Sequence, residues 1–276
     1  MENPIGKAKA GRGKSEHTNK HWIAVPSLIN SILHEADIIL EILDARFIEK
    51  TRNLEMEKEV KSMGKKLIYV FNKSDLVDIS KFKEEIEIQD LMPHILISTK
   101  ERSGAGFLKK MIKIEAKKLK KNIVNVGVIG YPNTGKSSII NFLVGRASAR
   151  TSSEAGYTKG IQKVKLSQGL YLIDTPGIIP FYEKSKTNQE LVAKHLQIGA
   201  TTWDRTKDPD IAVLRLMQEY PGILEKYYGI NANGNSEELI EQLGKRLHYL
   251  VKGGEIDEMR TAKHILRDWQ EGKIKI

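Results

Sequence analysis

The stretch Gly130-Tyr-Pro-Asn-Thr-Gly-Lys-Ser137 has the phosphate-loop spacing, a glycine and four residues followed by Gly-Lys-Ser. Both flanks agree with it. The apolar run Val124–Ile129 reads as a buried strand ahead of the loop, and Ser138-Ile-Ile-Asn-Phe-Leu opens a helix behind it. In that setting the backbone N–H groups of a helix N-terminus form a nest for phosphates, to which Thr134, Gly135 and Ser138 contribute. Lys136 then reaches the β/γ oxygens, and the Ser137 hydroxyl faces Mg²⁺. The plainer alternative is a tight glycine turn before a core helix, and the two correct flanks argue against it.

Working outward, a triphosphate site needs a carboxylate at the end of a neighbouring strand to hold the metal through water. Asp174-Thr-Pro-Gly177 supplies one after Tyr171-Leu-Ile, and the Gly177 amide is placed to sense a γ-phosphate. Between the two motifs, Gly156-Tyr-Thr158 lies in a Ser/Thr/Gly-rich stretch without periodicity. It suits a loop whose Thr158 completes the Mg²⁺ shell only while the γ-phosphate is present. Upstream, Asn72-Lys-Ser-Asp75 follows the strand Leu67–Phe71. A carboxylate at Asp75 accepts two hydrogen bonds from guanine that adenine cannot supply, and leaving it buried and unpaired costs roughly 1–3 kcal/mol or more. Lys73 would lie along the purine plane, and Ser98-Thr99-Lys100 would offer backbone N–H to guanine O6. Taken alone, Asn72–Asp75 is also a plain strand-ending turn.

The rest of the chain fits an α/β domain with a mostly parallel sheet. Short apolar runs recur at 37–43, 67–71, 95–97, 124–129 and 170–173, and amphipathic stretches such as Leu54–Met63 and Leu108–Leu119 lie between most of them. A short link with Gln168-Gly169 as its turn predicts one antiparallel hairpin. A helical stripe at Val25, Leu28, Ile29, Ile32, Leu33 and Ala36 precedes the first strand. Residues 1–20 form a basic tail, 21–180 the nucleotide domain, and 181–276 an all-helical domain. In the last of these, Leu239, Ile240, Leu243, Leu247, Leu250 and Val251 read as one stripe, capped by Asn235-Ser236 and stopped by Gly253-Gly254. The chain has 276 residues, 40% of them hydrophobic, which excludes wholesale disorder, and it contains no cysteine, which excludes disulfide frameworks and thiolate metal clusters. No run approaches a membrane span and no secretory core opens the chain, so a cytoplasmic location is expected. Its formal charge of +10 points to an anionic partner.

The order of the motifs is Asn72–Asp75, Ser98–Lys100, Gly130–Ser137, Thr158 and Asp174–Gly177. It resembles that of the circularly permuted GTPases, in which the guanine-reading motifs precede the phosphate loop. Within that group the chain is most similar to the ribosome-assembly GTPase A family of YlqF type. The likeness rests on Asp44-Ala-Arg46 after the first strand and on Ala193–Ala200, Asp210-Ile-Ala-Val-Leu-Arg, Leu224-Glu-Lys-Tyr-Tyr-Gly229 and Arg267-Asp268 in the tail. The resemblance implies a P-loop GTPase fold with a permuted sheet and a helical C-terminal domain that contacts ribosomal RNA. It also implies GTP hydrolysis coupled to large-subunit maturation. The expected partners of this monomer are the large ribosomal subunit and its RNA, without DNA or membrane, and its expected ligands are GTP or GDP, Mg²⁺ and K⁺.

Ile178 stands where many GTPases place a water-orienting glutamine, so slow intrinsic hydrolysis is expected, stimulated by the ribosome and by potassium. Asn133 resembles the asparagine that coordinates K⁺ in cation-activated GTPases, adding positive charge near the β/γ bridge. The family also keeps a Pro-Gly-His near its N-terminus. Here His21 falls at that histidine's offset from Asp44 with different neighbours, so a catalytic His21 and a surface histidine beside Trp22 both remain readings. GTP would order Thr158 and residues 178–184 and set the angle between the domains. Rival functions are an ATPase, a GTPase acting on transfer RNA or at a membrane, and a nucleotide-gated RNA-binding module with negligible hydrolysis.

Overall fold

The computed structural model describes residues 30–80, 91–145, 162–174, 183 and 189–276. The basic tail, His21, Thr158, Gly177 and Ile178 lie outside the described residues, as do residues 182–188 except Glu183.

After a helical turn at residues 30–35, strand β1 (Ile38–Asp44) is buried at all seven positions, so its apolar run serves both faces of the sheet. Helices α1 (Ile48–Thr51) and α2 (Leu54–Ser62) follow, the latter started by Asn53, whose side chain accepts from the Met56 amide. Next come β2 (Lys66–Asn72), β3 (His94–Leu96), α3 (Ala105–Lys118), β4 (Val124–Ile129) and α4 (Lys136–Val144). The hairpin of β5 (Gln162–Ser167) and β6 (Leu170–Asp174) completes a six-stranded sheet of order β3-β2-β1-β4-β6-β5. Among the described strands β5 alone is antiparallel, turning at Gln168-Gly169 as the sequence predicts. Helices α3 and α4 cover one face through Leu108, Ile112, Ile139 and Leu143, while Leu33, Ala36, Met56 and Val60 cover the other.

Helices α5 (Gln189–Gln197), α6 (Pro209–Glu219), α7 (Ile223–Tyr228), α8 (Ser236–Leu247) and α9 (Glu258–Gln270) pack around Trp269, Leu216, Leu239 and Ile265. Asn235 caps α8 as expected, by accepting from the amides of Glu237 and Glu238. The stripe ends earlier than its apolar pattern suggested. His248 closes α8 in the left-handed region, and Leu250 and Val251 are exposed beyond it, where Leu250 bridges to Ile256. The helical core also receives two residues of the nucleotide domain, Phe47 and Tyr131. Phe47 stacks on Trp269 with ring centroids 5.9 Å apart, so the two parts share one apolar seam.

Candidate nucleotide site

Asp44, Asn72, the phosphate loop and Asp174 all stand at the carboxyl ends of parallel strands, the edge where open α/β sheets hold ligands. Ladder register fixes two of these neighbours: Asp44 lies opposite Asn72, and Asp174 opposite Val128, two residues before the loop. Segments far apart in the chain thus meet at one place.

The loop between β4 and α4 needs glycine at two points. At Gly130 a Cβ would lie 2.4 Å from the Ile42 carbonyl oxygen, and at Gly135, with φ +98°, it would lie 2.2 Å from Asn72 Nδ2. Asn72 Nδ2 donates to the Thr134 carbonyl at 2.8 Å, which ties the Asn72–Asp75 segment directly to the phosphate loop. Lys136 is buried and its Nζ donates to the Tyr131 carbonyl at 2.7 Å, spanning the loop from inside. Thr134 Oγ1 donates to the same carbonyl at 3.0 Å. Ser137 and Ser138 occupy the first turn of α4, half-buried.

Lys73 takes the left-handed conformation, φ 62°, and its ammonium lies 2.7 Å from Asp44 Oδ2. Arg46 grips the same carboxylate through Nε at 3.0 Å and Nη2 at 2.8 Å, and its Nη1 donates to the Trp269 carbonyl at 3.1 Å. Burial alone would push the Asp44 carboxyl up. The Lys73 and Arg46 charges outweigh it and hold Asp44 well below the usual carboxylate range. Ser98 differs in detail from its sequence reading, in which only its backbone was assigned a part. Its hydroxyl donates to Asp75 Oδ1 at 2.6 Å and accepts from the Glu101 amide, so it also aims the carboxylate. Thr99 is half-buried and Lys100 exposed at the mouth of the same loop.

Asn133, also left-handed at φ 60°, donates its Nδ2 to the Gly199 carbonyl at 2.7 Å. A cavity of about 440 Å³ opens between the two domains, lined by Arg46, Lys73, Asn133, Thr202, Trp203 and Asp204. Sequence reasoning missed a second link. Glu183 is buried and accepts from His195 Nε2 at 2.8 Å, from Lys194 and from the Tyr131 hydroxyl. Burial raises its pKa, but these hydrogen bonds win and hold it at about 2. The second residue of the phosphate loop is thereby coupled to α5. A lone glutamate among polar neighbours carries no pattern that would have revealed this.

The donors fit a purine nucleotide with Mg²⁺. Backbone amides and Lys136 would suit phosphates, Asp75 would suit a base edge, and the Ser137 hydroxyl together with an aspartate at the end of β6 would suit a hard cation. Residues 125–204 match the 50S ribosome-binding GTPase family. The chain is 40% identical to an uncharacterized GTP-binding protein of Methanocaldococcus jannaschii, over 91% of this chain and 66% of that one. It is 31% identical to nuclear/nucleolar GTPase 2 of Oryza sativa, over 88% of this chain and 46% of that one. It is 30% identical to a nuclear GTP-binding protein of Saccharomyces cerevisiae, over 98% of this chain and 58% of that one. The chain therefore spans between about half and two thirds of the length of these relatives. Among solved structures it is similar to GNP-bound YlqF from T. maritima, with TM-score 0.63 and 26% identity over 91% of this chain and 95% of that one.

Proposed function

The chain belongs to the circularly permuted GTPases of YlqF type, and we propose that it is a GTP-hydrolysing switch that binds the large ribosomal subunit and its RNA during assembly. The observation that carries this reading is the Asn72–Thr134 hydrogen bond together with the Ser98–Asp75 pair. A guanine reader encoded ahead of the phosphate cradle is locked to it, which a plain ATPase gives no reason for. The names of the relatives, ribosome-binding for the family and nucleolar for the plant homologue, support the ribosomal partner.

In this reading Asn72, Lys73, Asp75 and Ser98–Lys100 hold the base, and Asn133–Ser138 hold the phosphates. Lys136 neutralises charge that develops on the β/γ oxygens. Ser137, Asp174 and Thr158 hold Mg²⁺, which screens the phosphate charge when bound. Gly177 and Thr158 report the γ-phosphate, with Ile178 leaving water orientation to another group, for which His21 and an Asn133-bound K⁺ are the candidates. The polar seam of Asn133–Gly199, Arg46–Trp269 and Glu183–His195 supports transmission of the nucleotide state to the helical domain, residues 181–276, the part assigned to RNA.

Hydrolysis of GTP, measured with and without large subunits and in potassium against sodium, tests activity, partner and cation together. The expected result is slow turnover alone, rising with subunits and falling in sodium. Rates unchanged across all four conditions would refute the ribosomal and potassium parts. ATP competing on equal terms with GTP would refute the base assignment.

A further inference from the structure

Helix α3 belongs to the nucleotide domain, and nothing in the nucleotide site uses its outer face. Between Lys109 and Lys121 the chain carries seven lysines against one acid, Glu115. Leu108, Ile112 and Ala116 are buried against the sheet, so the lysines are driven outward. Lys110, Lys113, Lys117 and Lys120 are exposed with no carboxylate paired to them among the described residues, whereas Lys118 pairs with Glu115 and Lys121 with Asp37. Leaving Lys110, Lys113 and Lys117 unneutralised along the helix, with Lys120 just past its end, costs self-repulsion, which an anionic partner would relieve.

The face is shaped as well as charged. Lys113 and Lys117, one turn apart, line a cleft of about 380 Å³ together with Lys121, Asn122 and, from the β5–β6 hairpin, Ser167 and Gln168. On the adjoining stripe Phe107 is 73% exposed and Ile114 46%. A large aromatic ring held in water beside Lys110 is the arrangement that stacks an unpaired base while its phosphates meet lysine. A protein partner fits poorly, because lysine is depleted at protein interfaces. A membrane fits poorly too, because the apolar stripe of α3 is already buried in the sheet and the exposed apolar side chains, Phe107, Ile114 and, just past the helix, Leu119 and Ile123, are interspersed with lysines.

We propose that the outer face of α3 and its cleft form a second RNA-binding surface, on the nucleotide domain, that takes single-stranded RNA by its phosphates with Phe107 stacking a base. The proposal extends the ribosomal reading above to another side of the molecule. Binding of the full chain to a fluorescent single-stranded oligouridine tests it, by anisotropy across a salt series. The variants are Lys110→Gln/Lys113→Gln/Lys117→Gln, Phe107→Ala, and a charge control on α2, Lys58→Gln/Lys61→Gln.

The triple variant should lose affinity at least about tenfold near ~0.1 M salt, and its slope of log K against log salt should shrink by about 2, at ~0.7 per phosphate contact. Phe107→Ala should lose about tenfold with the slope unchanged. The charge control should match the parent. Triple and control variants behaving alike would overturn the proposal. So would a triple variant whose only loss is on vesicles of phosphatidylcholine with phosphatidylglycerol, or only on polyglutamate. Affinity for a fluorescent GDP, measured on the same samples, is expected to stay unchanged in every variant. That separates this test from the nucleotide reading, because RNA binding is scored whether or not the nucleotide binds.

Discussion

Replacing Asp44 by asparagine keeps the shape of the side chain and removes its charge. In the parent this one carboxylate, fully buried, accepts from the Arg46 amide at 3.1 Å, from Arg46 Nε and Nη2 at 3.0 and 2.8 Å, and meets Lys73 Nζ at 2.7 Å. The Arg46 side chain is only 1% exposed, so in the variant its guanidinium stays buried without a counter-charge. Breaking a buried pair from one side costs about 3–5 kcal/mol. The amide oxygen still accepts one of the bonds, so ~3 kcal/mol is the working figure, a fall in Tm of roughly 6–12 °C. Urea unfolding followed by circular dichroism at neutral pH measures it. Arg46→Met alone strands Asp44 beside Lys73, and the double variant removes both charges, so the double loss should fall short of the sum of the singles by at least ~1.5 kcal/mol. The effect has a defined pH course. Because folding depresses the Asp44 pKa below its ordinary 3.8, the unfolded chain binds more protons in that window. The difference between parent and variant is therefore full above 3.8 and shrinks as pH falls through the folded-state value. An Asp44→Asn protein within about 1 kcal/mol of the parent, or strictly additive singles, would refute the reasoning.

Other outcomes follow from single contacts. Gly135→Ala puts a methyl group 2.2 Å from Asn72 Nδ2 at φ +98°, so it should cost at least ~2 kcal/mol of stability and abolish retention of a fluorescent GDP. Glu41, buried in β1 with its Oε2 unpartnered among the described residues, has its pKa raised to about 8 by burial and by nearby Glu57. The native state then holds the extra proton, so parent stability should fall between pH 4.5 and 8, by up to ~1.4 kcal/mol per pH unit. Glu41→Gln should flatten that part of the stability–pH curve, and an unchanged slope would count against a protonated Glu41. Phe47→Ala empties a site between Trp269 and Tyr220 and should cost about 3–5 kcal/mol in calorimetric unfolding.

Much of this architecture was legible in advance because its signals are local. Buried parallel strands read as apolar runs, and glycines at positive φ mark the phosphate loop. The strand ends were less so: Asp44, Asn72 and Asp174 are polar yet remain in the ladder, since backbone pairing continues one residue past the apolar run. The overlong α8 stripe failed for the opposite reason, because hydrophobic spacing carried on through a left-handed His248 that no periodicity reveals. Contacts between the domains were invisible. Phe47 and Tyr131 sit in loops and short turns, and their burial depends on helices more than sixty residues away in the chain. The same holds for the Ser98 hydroxyl, whose partner Asp75 is joined to it only by tertiary folding.

If dispersed segments form one guanine site, nucleotide choice reveals it most directly. Competition between GTP and XTP, measured on the parent and on Asp75→Asn, should show a parent that prefers GTP and a variant that prefers XTP, because the amide offers a donor where the carboxylate accepted. A parent that retains neither nucleotide, or a variant with the parent's preference, would contradict it.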